Sequence, residues 1–261
     1  MHKFTAIIAG LFFLNAVSPA TSNTSEFKLA DYELSLEKAR VATFELNMSN
    51  TYSGAHLKDS GLDYEVFRKA MIGYYNLKRS NVPMKVTKPV ISIIDFNKAS
   101  TEERLWIIDL KSKKLLYNTL VAHGKNSGDN FARKFSNTPQ SEMSSVGFYI
   151  TGETYTGKHG LSLKINGIDH GFNDNAYHRA IVIHGANYVS QSFVDQHGRL
   201  GRSQGCPALP IAKTSQIIQL IKDRSCIFIN GPEPKYNSSY LKLAPALAKF
   251  EVELEKTQDN I

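Results

Sequence analysis

The chain has 261 residues, of which 42% are hydrophobic and 21% charged, with a formal net charge of +7. This composition excludes a disordered or fibrous chain, and the length allows one or two domains with an ample core. The basic residues are scattered and form no stripe interleaved with aromatics, so the excess charge points to anionic surroundings and not to nucleic acid.

Lys3, the nearly unbroken apolar run Phe4 to Val17, and Ser18-Pro19-Ala20 read as an export signal over residues 1–20. The run is short for a helix that must cross roughly 30 Å of hydrocarbon, so no stable membrane span is expected once it is removed. The mature chain is expected to begin near Thr21, in a periplasmic or wall-side space.

Residues 21–85 carry helical patterns. Tyr32 to Met48 is the first, and Leu62, Val66, Phe67, Ala70, Met71, Tyr74 and Leu77 share one stripe of the second. A helical hairpin is expected there. From about Lys88 the pattern becomes short β-branched and aromatic runs: Val90 to Phe96, Leu105 to Leu110, Leu115 to Ala122, Gly147 to Thr151, the alternating Leu161, Leu163 and Ile165, and Ala180 to Ile183. One helix is expected from near Pro210, with Ile211, Ile217, Ile218 and Ile221. Many short strands with one or two helices predict a mainly-β sandwich or open barrel over residues 86–235. Residues 236–261 form a helical or mobile tail that Pro245 should interrupt. Gly124 to Ser144 is a long polar loop of the kind that is functional or disordered.

The two cysteines differ in setting. Cys226 opens the strand-like run Cys226-Ile227-Phe228-Ile229-Asn230, where a small apolar thiol fits a core, whereas Cys206 lies in a loop with Arg202, Ser203 and Gly205. A Cys206–Cys226 disulfide is the competing reading in an oxidising compartment. A thiol with an ordinary pKa near ~8.5 needs a base or a positive environment to act as a nucleophile. His184, at the end of the apolar run, is placed to be that base, and the helix near Pro210 to lend its positive end. The pair is then expected to titrate as thiolate and imidazolium. Gly205 allows close backbone approach, and the Gly205 and Cys206 amides are candidates for holding an oxyanion.

Of the other histidines, His123, His159, His170, His178 and His197 form no His-Glu-x-x-His pair, so no metal is expected. His197 reads as a solvated loop residue. Tyr155, Gly157 and His159 fit either a substrate contact or a plain hairpin turn. Asp174 and Asn175 read as structural support for the loop.

His184-Gly185, followed by Ser203, Gly205 and Cys206, resembles the signature of the YkuD-type L,D-transpeptidases: a His-Gly pair, a spacer, then Ser/Thr-His-Gly-Cys. The chain is similar to a variant subfamily through Val121 to Gly128, Phe172 to Ala176, Arg179, Ile183 to Ala186, Gly198 to Ser203 and Gly205 to Leu209. The resemblance spans about residues 60 to 232. It implies the β-sandwich or open-barrel fold, with Cys206, His184, Gly205 and Ser203 in the catalytic machinery and no cofactor. It also implies peptidoglycan stem peptides as substrates, cross-linked through a thioester. Gln204 stands where the common signature has its second histidine, Pro207-Ala208 replaces the usual Arg or Asn neighbourhood, and the spacer is several residues longer. Arg199, Arg202 and Arg179, with Gly185, are therefore the expected substrate-binding residues. Hydrolysis of stem tetrapeptides by the same site, and a wall-binding protein of this fold without turnover, are the alternatives.

Overall fold

The structure is a computed structural model that describes residues 23–78 and 84–258. The expected export signal lies outside the described residues. The described residues fall into two units, divided between residues 42 and 43. In the first, helix α1 (Asn23–Gly54, continuing into the second unit) exposes Leu29, Tyr32, Leu34 and Leu36 and pairs Arg40 with Glu37 at 3.0 Å.

The second unit is built on one eight-stranded sheet of order β3-β2-β1-β8-β4-β5-β6-β7. Its strands are β1 (Val90–Asp95), β2 (Leu105–Asp109), β3 (Lys114–Thr119), β4 (Gly147–Gly157), β5 (Gly160–Gly167), β6 (Val182–Ala186), β7 (Ala208–Pro210) and β8 (Cys226–Asn230). Beyond β3 the chain reaches Ala122, whose N–H donates to the carbonyl of Ala208 at 2.9 Å. That bridge ties one edge of the sheet to the other and curls it into the expected open barrel.

Strand β1 is buried along its whole length, so alternation could not show which way its residues point. The structure sorts them. Val90 and Ile94 face the same core as Tyr149, Ile227, Ile229 and the inner side of helix α4 (Ile211–Ile221). Phe148 and Phe228 stack on the opposite face at 4.5 Å, towards helix α2 (Tyr64–Leu77). The Asp63 carboxylate caps α2 by accepting the N–H groups of Glu65 and Val66. Gly73 is what lets α2 lie down on the sheet, because a Cβ there would sit 2.0 Å from the Phe148 ring. Gly73→Ala is expected to lose about 1–3 kcal/mol in urea unfolding, despite the roughly 1 kcal/mol that alanine gains in a helix.

Within this unit α1 meets α2 through Phe44 on Tyr75 and Glu45 on Arg68. The tail forms helix α5 (Leu243–Gln258), which buries Ala246, Leu247 and Phe250 and pairs Glu253 with Lys78 at 2.7 Å. Pro245 falls in its first turn, where no intrahelical N–H bond is lost, so it does not interrupt the helix as expected. In α4 the buried stripe is Thr214, Ile217, Ile218 and Ile221, while Ile211 is exposed.

Candidate functional site

Both cysteines are free, and Cys226 is fully buried on β8 between Ile91 of β1 and Ile150 of β4. Burial pushes its thiol pKa up strongly. Cys206 instead opens onto a cavity of about 720 Å³ together with His184, Ser203, Gln204, Tyr188 and the tip of the β4–β5 hairpin.

His184 is not at the end of an apolar strand but in the middle of β6, paired with Ser162 of β5 and Ala208 of β7. Only 4% of it is exposed. Its Nδ1 lies 3.0 Å from the Gly185 carbonyl, which can only accept. Nδ1 therefore carries the proton, and Nε2 is left as the acceptor that a base requires. Gly185 serves this tautomer and also lets α4 approach, since a Cβ on it would meet Thr214 Oγ1 at 2.7 Å. It is not among the cavity-lining residues.

The Cys206 Sγ accepts the Val182 N–H at 3.4 Å and lies 3.8 Å from the Ala180 carbonyl. Burial raises its pKa, an effect partly offset by the Val182 N–H and by the charges of Arg179 and Lys158. Burial lowers the pKa of His184, and the neighbouring His159 and Lys158 lower it further. Both shifts favour neutral thiol beside neutral imidazole. These directions run against the ion pair expected from the sequence. The physical reason is that desolvation penalises both charged forms. Between Cys206 and α4 the chain forms β7.

Ser203 shapes the loop under the thiol. Its Oγ accepts the Gly205 N–H at 3.0 Å and donates to the Cys206 carbonyl at 2.6 Å. The Gly205 amide is thereby occupied and cannot be an oxyanion donor as it stands. Gly205 itself has φ +118°, and a Cβ on it would meet the Met143 carbonyl at 2.7 Å, so the position requires glycine. Among the described residues the Cys206 N–H makes no hydrogen bond. The Tyr188 phenol lines the same cavity, and burial pushes its pKa up to about 12, which keeps it a proton donor.

The three arginines separate. Arg179 lines the cavity but spends its guanidinium on the polar loop, donating to the carbonyls of Ser136 and Met143 at 2.7 and 2.6 Å and to the hydroxyls of Ser145 and Ser141. Arg202 lines it too and is paired with Asp129 at 2.6 Å. Arg199 bonds the Leu200 carbonyl and is not among the lining residues. Sequence reasoning missed Lys158, an exposed cavity residue that forms no ion pair among the described residues. It also missed helix α3 (Gln191–His197). The Ser190 hydroxyl that caps α3 and Gly198 at its left-handed end were signals visible in the sequence. His197 ends that helix, stacks on Phe193, and does not line the cavity.

Behind the site, His123 is fully buried, with Nδ1 accepting from Arg104 at 2.8 Å and Nε2 donating to Gly128 at 3.2 Å. The next residue, Gly124, bridges Ser203. Burial and the Arg104 charge lower the His123 pKa to about 4. An unfolded imidazole titrates near ~6.5. This part of the stability is therefore complete above that value and lost as the pH falls towards about 4. The loss should be on the order of 3 kcal/mol. His123→Gln, which keeps both hydrogen bonds and cannot titrate, is expected to flatten the pH dependence of urea stability across that window. An unchanged slope would rule His123 out as its source.

Among the described residues no group of three or more His, Cys, Asp or Glu is placed to hold a metal, and no helix is long and apolar enough to cross a membrane.

With an open-barrel sheet that brings a cysteine and a strand-held histidine to one cavity, the chain matches the L,D-transpeptidase catalytic domain over residues 58–230 and belongs to that family. No curated protein matches it. Solved structures similar to it include an L,D-transpeptidase from Mycobacterium smegmatis, 11% identical over 56% of this chain and 61% of that one, with a TM-score of 0.35. The helical cell shape determining protein Pgp2 from Campylobacter jejuni is 15% identical over 72% of this chain and 65% of that one, with a TM-score of 0.38. An L,D-transpeptidase from Stackebrandtia nassauensis is 14% identical over 64% and 67%, with a TM-score of 0.34. The chain spans about six-tenths of the length of the Mycobacterium smegmatis protein.

Proposed function

We propose that the protein is an exported cysteine acyltransferase that exchanges or cross-links peptidoglycan stem peptides through a thioester on Cys206. The observation that carries this reading is the shared cavity: Cys206 opens onto it, and His184 lines it with its proton fixed on Nδ1. As the Cys206 sulfur attacks the carbonyl of the third stem residue, His184 Nε2 takes the thiol proton. The same imidazolium then protonates the departing amine of the terminal D-alanine, and an incoming amine resolves the thioester. Since burial works against both charged forms, proton transfer is assigned to the attack itself.

The Cys206 N–H and the Tyr188 hydroxyl are the donors assigned to the tetrahedral oxyanion, since the Gly205 N–H is held by Ser203. Lys158, unpaired among the described residues, and Arg202 are the cations assigned to stem carboxylates. Arg179 orders the loop at residues 136–145. Incubation with purified tetrapeptide muropeptides should release D-alanine and give cross-linked or amine-exchanged products by mass. Release of alanine with only tripeptide as product would instead assign a carboxypeptidase, with water as the acceptor. Absence of any product would leave a wall-binding protein of this fold.

A further inference from the structure

We propose that His159, at the tip of the β4–β5 hairpin, is a positioning residue that holds the His184 ring in its working orientation; this rests on the reading of His184 as the base. One hydrogen bond, Nδ1 to the Gly185 carbonyl, fixes one edge of the His184 ring and leaves its face to be held by packing. His159 covers it: the two rings stack with centroids 4.4 Å apart and 26° between their planes.

The strand register explains why the ring arrives there. Ser162 of β5 lies opposite His184 of β6, and Gly157 lies opposite Gly160, which leaves Lys158 and His159 as the turn. Pairing of β5 with β6 thus sets the turn over the histidine that needs a wall. His159 is exposed, so its ring fills no core and its stack on a buried imidazole is the contact that needs a reason. The hairpin tip becomes part of the site, and opening it would release the His184 ring. The other charged or titratable groups around the pair are Lys125, Lys158, Arg179, Arg202, Cys206, Tyr155 and Tyr188. A charge on His159, like that on Lys158, lowers the His184 pKa.

Two variants of the full chain separate the ring face from the charge. His159→Ala removes both, whereas His159→Phe keeps an aromatic face. With stem tetrapeptide as substrate, His159→Ala is expected to lower kcat about tenfold with KM within about twofold, and His159→Phe to recover to within about threefold of wild type. In the free protein, NMR of the imidazole nitrogens should show His184 titrating at higher pH in both variants, because the neighbouring charge is gone. Equal impairment by Ala and Phe would overturn the proposal. So would wild-type kcat in both with an unmoved His184 titration. If the wild-type protein turns over no stem peptide, the functional reading fails, and the NMR titration alone then decides whether the stack governs His184. Unchanged melting temperatures guard against a folding artefact.

Discussion

Cys206→Ala is expected to lower stem-peptide turnover by at least about 10⁴-fold while leaving stability within roughly 0.5 kcal/mol. The sulfur opens onto the cavity and only its partly buried side chain packs against the core, so its removal takes the nucleophile and little packing. Cys226→Ala should do the reverse. That thiol is fully buried in the middle of the sheet, and deleting it leaves a void between Ile91 and Ile150. A cost of roughly 1 kcal/mol is expected, with turnover within about twofold. Parallel urea unfolding and turnover assays on the two variants read both quantities, and equal losses of activity would refute the division between a chemical and a structural cysteine.

His184→Ala is expected to cost about 10²–10⁴ in turnover, the range of a lost general base, with the oxyanion donors supplying what rate remains. Its pH behaviour is the sharper test. The base must be neutral to accept the thiol proton, and burial with the His159 and Lys158 charges lowers its pKa below the usual histidine value. The acid limb of kcat/KM should therefore lie below ~6.5 and vanish in the variant. Alkylation of the resting enzyme reads the other partner. Because burial raises the Cys206 pKa, iodoacetamide should react only as the pH rises past the ordinary thiol value of ~8.5. A reactive plateau at low pH, lost in His184→Ala, would show a preformed ion pair and contradict the neutral resting state.

Most strands were legible because their runs are short, β-branched and bounded by turns. Val90 to Phe96 became β1 nearly residue for residue, and the alternation of Leu161, Leu163 and Ile165 marked β5. What alternation could not reveal was that β1, β8 and residues 147–151 of β4 are covered on both faces, by α2 and by α4, since a doubly buried strand has no polar side. His184 was misplaced by the same ambiguity: the apolar run before it looked like the whole strand, yet β6 continues through Gly185 to Ala186 because α4 covers them.

The motifs pointed to Cys206, His184 and Ser203, and all three meet at the cavity. The division of labour around them was not readable. The Gly205 amide is taken by Ser203 two residues earlier, but that Arg179 faces a loop and that His159 stacks on His184 depend on contacts between segments far apart in the chain. No local pattern encodes such contacts. The pKa directions belong to the same class, because burial is set by the finished fold.

The most direct test of the account is to trap the acyl-enzyme. The wild-type protein, mixed briefly with a tetrapeptide muropeptide and quenched in acid, should gain the mass of the donor stem less its terminal alanine. Proteolysis should map that adduct to the peptide carrying Cys206, and Cys206→Ala should show none. Turnover without any adduct on Cys206, or an adduct that persists in Cys206→Ala, would contradict it.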